Sequence, residues 1–359
     1  MKYLNLLLIF GLVAIIAEWV GWSPMLIFVA SGLAMIPLAR LMGVSTEMLA
    51  LHTGPRLGGL LNATLGNAAE LIITIMAIRE GVQNPAINQQ MLELVRASLT
   101  GSVIGNILLV LGLSILLGGL RHGIQKFDRS HAGLNSTMLT LAIAALVIPS
   151  IFSHSIETVS HSAVEYLSLG VAGGLYVLTL AYQLRRPRAH APEEGGHVAG
   201  HEELAPWSLL RAGIILLVAT IAIVVMSELL VGSIEHVVLE VGISEFFLGI
   251  IIVPLIGNIA EHLVAVQVAV KNKMELCLAV SVGSSLQIAL FVAPLLVFIS
   301  LAMGNPLTLV FNSFELIALM VAVLIAGLVS LDGESNWLEG AMLLGLYLIL
   351  ALAFFWLPM

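Results

Sequence analysis

The sequence predicts an all-α, polytopic membrane protein with 11 transmembrane helices, one N-terminal helix followed by two inverted five-helix repeats. Three observations carry this. Hydrophobic residues make up 59% of the chain and charged residues 10%, where soluble domains carry about 25% charged residues. The apolar residues gather into 11 runs, several of which reach the roughly 20 residues that span a bilayer. A short motif, Gly-Asn-x-Ala-Glu, stands twice inside such runs, at Gly66 to Glu70 and at Gly257 to Glu261.

The runs lie at roughly 3–20, 23–42, 58–79, 89–119, 131–152, 161–184, 208–231, 245–270, 274–301, 312–331 and 336–357. The first carries Glu18-Trp19 and lacks a small-x-small cleavage site, so it reads as a retained helix. Residues 45–57 contain Gly54-Pro55 and read as an interfacial turn or short helix. Segment 89–119 is long enough to tilt, with Gly101 and Gly105 as bend points. The organisation is therefore an N-terminal helix (1–22), a first repeat (23–184), a hydrophilic linker (185–207) and a second repeat (208–359). The linker mixes Arg185-Arg186-Pro187-Arg188 with His190, His197, His201 and paired glutamates, which is the composition of a solvated connector.

The basic residues orient the chain. Of 14 Lys and Arg, only Arg79 and Arg96 fall on one side when the N-terminus is cytoplasmic. That bias predicts a cytoplasmic N-terminus and a C-terminus on the opposite side. We expect a prokaryotic cell membrane as its location. A net charge of -8 argues against a nucleic-acid partner, and the single Cys277 excludes an intrachain disulfide. Five helices per repeat is an odd number, so the second repeat enters from the opposite face. The Glu70 helix then runs outward and the Glu261 helix inward. Inverted repeats with paired polar motifs describe a transporter whose site lies near the bilayer midplane.

A carboxylate inside an apolar run is expensive and needs a reason. A structural polar contact would explain one such glutamate, but the repetition favours function. On a helix, Asn and Glu three apart share a face. The next segment of each half adds Gly101-Ser102-Val103-Ile104-Gly105-Asn106 and Gly283-Ser284-Ser285-Leu286-Gln287. Small residues for close helix packing explain the glycines and serines, and explain Asn106 and Gln287 less well. Glu70 and Glu261 supply carboxylate oxygens; Asn67, Asn258, Asn106 and Gln287 supply amide oxygens; Ser102 and Ser284 supply hydroxyls. Pro254 lacks an N–H and crowds the Ile250 carbonyl, which frees backbone oxygens nearby. A set of about six to eight oxygens without thiolate suits Ca2+.

Two carboxylates balance one divalent cation. Without it they are two like charges in low dielectric, a situation that favours taking up a proton. Cation and protons then compete for the same oxygens. If the empty, unprotonated site cannot cross between its two open states, that competition becomes obligatory exchange.

On these residues the chain resembles the cation/proton exchangers (CAX) of the Ca2+/cation antiporter superfamily. Gly66 to Leu71 and Gly257 to His262 are similar to the family's two signature repeats, and Gly283 to Leu290 to the segment that follows the second. The sodium/calcium exchanger branch has Gly-Thr-Ser-x-Pro-Glu there, which this sequence lacks. The resemblance implies Ca2+/H+ antiport, with Glu70 and Glu261 as shared cation and proton carboxylates and Asn67, Asn258, Ser284 and Gln287 around them. It implies no cofactor beyond the transported ions, Ca2+ and H+, and a lipid bilayer as partner; a homo-oligomer is left open.

Glu228 and His262 are secondary candidates, the first for guiding ions outside and the second for coupling protons to Glu261. Glu228 could equally be a helix-end side chain reaching water, and His262 a packed imidazole. Glu18 and Glu315 read as interfacial. The alternatives are an exchanger of the same architecture that carries Mn2+ or Na+, a channel, and an intramembrane enzyme. A channel has no need of obligatory proton exchange. The chain has no His-Glu-x-x-His and no Gly-x-Ser-x-Gly motif, so it is not expected to be an enzyme.

Overall fold

A computed structural model describes residues 2–157, 161–185 and 207–357. Among them the regular structure is helical but for one two-residue antiparallel bridge, Gln125–Lys126 against Glu334–Ser335. After a short 3-10 turn, the helices are α1 (Leu8–Val20), α2 (Pro24–Leu65), α3 (Ala68–Gln83), α4 (Asn88–Ile104), α5 (Leu111–His122), α6 (Arg129–Glu157) and α7 (His161–Arg185). Beyond the linker follow α8 (Leu209–Gly232), α9 (Ile234–Val241), α10 (Glu245–Phe247), α11 (Val253–Val270), α12 (Met274–Gln287), α13 (Ala293–Ala302), α14 (Ser313–Val329) and α15 (Trp337–Phe355). Linker residues 186–206 lie outside the described residues.

Eight helical stretches are long and apolar enough to cross a membrane, and α1 with its preceding turn and α14 are shorter apolar helices. Their outward faces match. Along α8, Leu210, Ile214, Leu217, Val218 and Ile221 are exposed, while Ala212, Ala219, Ile223, Met226 and Leu230 are buried. An apolar stripe at helical spacing turned away from the protein is a surface for lipid, since in water it would form an adhesive patch.

One boundary differs from the expectation. Residues 45–57 form neither turn nor separate helix: α2 is continuous over 42 residues, about 63 Å at the ordinary helical rise. Polar residues at the start of this stretch are buried and satisfied by their own helix. Ser45 Oγ donates to the Leu41 carbonyl at 2.6 Å and Thr46 Oγ1 to that of Met42 at 2.9 Å. The chain breaks later, at Gly66-Asn67, so the expected helix 58–79 is divided between the end of α2 and α3.

Three π segments interrupt the other long helices, at Gly105–Val110, Leu248–Ile252 and Ile288–Val292. Two of them lie just before prolines, although Pro37 and Pro149 sit within unbroken α-helix. Pro254 crowds the Ile250 carbonyl and Pro294 that of Leu290, and a wider turn relieves both clashes. The freed Leu290 carbonyl accepts a bond from Thr179 Oγ1 at 3.2 Å, a membrane helix's usual remedy. The third segment opens on Gly105, one of the expected bend points.

The described residues form two compact units, each of which draws on both halves of the sequence. The first holds residues up to 98 and the stretch from 207 to 260; the second holds the described residues of 99–185 and 261–356. In the first, α2 packs on α1 and α8, and α3 packs on α8. In the second, α6 packs on α7, α12 and α14, α7 on α13, and α5 on α15. Asp128 caps α6: its carboxylate accepts from the backbone N–H of His131 at 2.9 Å and of Ser130 at 2.7 Å. The bond from His131 above all holds this exposed carboxyl below its ordinary range.

In the second unit the connection after α13 is extended, with Leu307, Leu309 and Phe311 buried. Three serines take the place of a partner strand. Ser300 Oγ accepts from Leu307 N at 2.9 Å, Ser168 Oγ from Leu309 N at 3.0 Å, and Ser150 Oγ from Phe311 N at 2.9 Å. Ser150 also donates to the Leu309 carbonyl at 3.1 Å. Ser150→Ala removes both contacts and is expected to destabilise the protein by about 1–3 kcal/mol. Thermal unfolding in detergent would reveal this as a lowered midpoint, with the exposed Ser162→Ala as control; equal midpoints would show that the serines are dispensable.

Candidate ion-binding site

In the first unit, Asn67 immediately precedes α3 and Glu70 lies in the helix's first turn. A carboxylate suits that position, where unpaired backbone N–H groups leave a partial positive charge. The Glu70 side chain is 0% exposed. Its Oε2 accepts from Asn258 Nδ2 at 3.2 Å and its Oε1 from Ser98 Oγ at 3.4 Å. Gly257 backs it: a Cβ there would stand 3.4 Å from both Cα and Cβ of Glu70. Glycine at this point of α11 lets two helices approach at the carboxylate, and a branched side chain would separate them. One turn further along α3, Thr74 Oγ1 bonds the Glu70 carbonyl at 2.9 Å.

The two copies of the motif differ in local structure. The first spans the break between α2 and α3: Asn67 is the N-cap of α3, its carbonyl accepting from Leu71 N at 3.0 Å, and Glu70 lies in the helix's first turn. The second lies wholly within α11, where Asn258 and Glu261 are three residues apart on one helix. Glu70 is buried, whereas Glu261 is partly exposed.

The second unit holds Glu261, His262, Ser102, Asn106, Ser284 and Gln287. Ser102 and Asn106 are one turn apart and both about 1% exposed, Asn106 inside the π segment Gly105–Val110. Ser284 is buried and Gln287 partly exposed on α12, which packs against that π segment. The second π segment of this unit begins directly after Gln287. Each half of the chain therefore places an amide side chain at a π turn, a feature that recurs at functional sites. The buried amide nitrogen of Asn106 and Nδ1 of His262 make no hydrogen bond among the described residues. Leaving such a buried polar atom unpaired is costly. Among the described residues, no group of three or more His, Cys, Asp and Glu could hold a metal ion by itself. A cation here would draw on amide and hydroxyl oxygens as well as carboxylates.

Glu228 lies on the exposed surface of α8 and pairs with Arg79 of α3 at 3.2 Å. An exposed pair of this kind contributes about 0–1 kcal/mol. Glu315 departs from the interfacial expectation: it is 2% exposed. Its Oε2 accepts from the Asn312 backbone in a capping box that starts α14, and its Oε1 accepts from Thr100 Oγ1 at 2.8 Å. Asn312-x-x-Glu315 was the signal in the sequence for this role. Ser98 also escaped the sequence reading, although it stands one turn before Ser102 on α4.

Long apolar helices with lipid-facing stripes and buried carboxylates define an integral, multi-pass membrane protein of the ion-transport class. Residues 23–185 and 212–356 match the sodium/calcium exchanger protein family. The chain is 44% identical to a Ca2+/H+ antiporter of Synechocystis sp., covering 99% of this chain and 98% of the relative. It is 42% identical to the Ca2+/H+ antiporter ChaA of Bacillus subtilis, covering 95% of each. The solved structure of the Ca2+/H+ antiporter protein YfkE superposes with a TM-score of 0.85 at 39% identity, covering 99% of this chain and 100% of that one. The chain belongs to the sodium/calcium exchanger protein family, on its cation/proton exchanger side.

Proposed function

We propose that the protein is a secondary antiporter that exchanges Ca2+ for H+ by alternating access, with both ions competing for Glu70 and Glu261. The observation that carries this is Glu70: a fully buried carboxylate in an apolar helix, with Asn258 of the second motif copy bonded to it. Support comes from full-length relatives that are named Ca2+/H+ antiporters. Asn67 and Asn258, with Ser102, Asn106, Ser284 and Gln287, supply the further oxygens that a hard cation needs. His262, beside Glu261, is read as a packed imidazole and Glu228 as a peripheral residue. Purified protein in proteoliposomes should accumulate Ca2+ against its gradient when a pH gradient is imposed. Uptake that ignores the pH gradient and follows Na+ or Mn2+ instead would assign the site to another cation exchanger.

The same reading carries 11 crossings in two inverted repeats, with the N-terminus cytoplasmic and the C-terminus opposite. Its support is that only Arg79 and Arg96 of 14 basic residues fall on the outer side. Reporter fusions at the two termini should report opposite compartments, and fusions that report the same compartment would defeat the inverted repeat.

A further inference from the structure

We propose that Ser98 is a positioning residue for Glu70, one that holds the carboxylate in its ion-receiving geometry without itself ligating the cation. The inference rests on the reading of Glu70 as a cation carboxylate. Ser98 is 0% exposed and sits on α4, in the same compact unit as Glu70. Its hydroxyl reaches Oε1 at 3.4 Å while the Asn258 amide reaches Oε2 at 3.2 Å. Two donors from two different helices, one on each oxygen, fix the plane of the carboxylate as well as its position. Gly257 closes the approach at the base of the side chain, at 3.4 Å for a notional Cβ. Glutamate loses considerable rotamer freedom when it is held, and holding it before the ion arrives removes that cost from binding.

Ser98 is set apart from the proposed ligands by its contact, since its hydroxyl is directed at the Glu70 carboxylate itself. A serine at this depth would be expected to bond its own helix's carbonyl, as Ser31 does with Ile27 at 2.7 Å. Ser98 instead reaches a side chain 28 positions away in sequence.

The test is Ca2+ uptake by full-length protein in proteoliposomes under a fixed pH gradient, for wild type, Ser98→Ala and Ser98→Thr. Ser98→Ala should raise the apparent KM for Ca2+ about three- to fivefold, in line with one lost hydrogen bond that is long at 3.4 Å, and leave the maximal rate within about twofold of wild type. Ser98→Thr keeps the hydroxyl and should lie closer to wild type than Ser98→Ala. A merely structural serine would lower the amount of active protein, and so the maximal rate, without moving KM. A wild-type KM in Ser98→Ala, or Ser98→Thr no better than Ser98→Ala, would overturn the proposal. Glu70→Gln is measured alongside. Coupled exchange that survives Glu70→Gln would strike down the site reading and this inference together. Its loss there, with an unmoved KM in Ser98→Ala, would strike down this inference alone.

Discussion

Glu70→Gln and Glu261→Gln are each expected to abolish Ca2+ uptake driven by a pH gradient, to below about 1% of the wild-type rate. Glutamine keeps the size and one oxygen ligand but removes a negative charge and the group that carries a proton. A divalent cation would then meet a single carboxylate, leaving an uncompensated positive charge in low dielectric. Removing one partner from a buried ionic arrangement costs about 3–5 kcal/mol, which corresponds to the stated loss. The return half-cycle also loses a proton carrier. Glu228→Gln serves as the matched control: its carboxylate is exposed and paired with Arg79, so it should lower the rate without removing coupling. Paired Ca2+ and pH recordings on vesicles check all three. Retained pH-driven uptake in either motif variant would contradict the shared-carboxylate mechanism.

Gly340→Ala is expected to be the most destabilising single methyl that can be added to the second unit. A Cβ at Gly340 would run into the Leu116 backbone nitrogen, and would stand 2.6 Å from the Gly112 carbonyl oxygen and 2.8 Å from the Ile115 carbonyl carbon. These are backbone atoms of α5 and cannot turn aside, so α5 and α15 must move apart. The reverse contact is equally tight, since a Cβ at Gly112 would stand 2.9 Å from both Leu343 Cβ and Leu344 N. Small residues that let backbones meet are how membrane helices associate without a hydrophobic drive between them. Overpacking of this kind costs about 3 kcal/mol or more when neither side can yield. Thermal unfolding and size-exclusion profiles in detergent should show a lower midpoint and loss of the monodisperse species. Gly345→Ala has open space within 4 Å and should behave as wild type. Equal stability of the two variants would show that α5 and α15 tolerate separation.

Much of the architecture was legible in the sequence because membrane helices announce themselves by unbroken apolarity. Nine of the eleven apolar runs have a helical counterpart over nearly the same residues. The exceptions are 23–42, whose helix runs on to Leu65, and 58–79, which is divided, and their common cause is physical. Gly54-Pro55 reads as an interfacial turn in a linear sequence. In the fold α2 runs through it unbroken, and the Ser45 and Thr46 hydroxyls upstream bond carbonyls one turn back. The real break falls at Gly66-Asn67, inside the motif itself, where no hydropathy change marks it. Repetition exposed Glu70 and Glu261, but a repeat in sequence says nothing of local symmetry, and the two copies differ in backbone and in burial. Ser98 and Glu315 were missed or misplaced because their partners, Glu70 and Thr100, lie 28 and 215 positions away. Only the tertiary fold brings them together.

The central claim, that Ca2+ and protons occupy the same carboxylates, is tested most directly by the dependence of Ca2+ uptake on loading-side pH at several fixed Ca2+ concentrations. Proteoliposomes containing the purified wild-type protein are suitable for the measurement. Competition predicts that acidifying the loading side lowers uptake at limiting Ca2+ and that raising Ca2+ restores it to the same maximal rate. A decline on acidification that saturating Ca2+ cannot reverse, or uptake indifferent to loading-side pH at limiting Ca2+, would mean that the two ions bind at separate places.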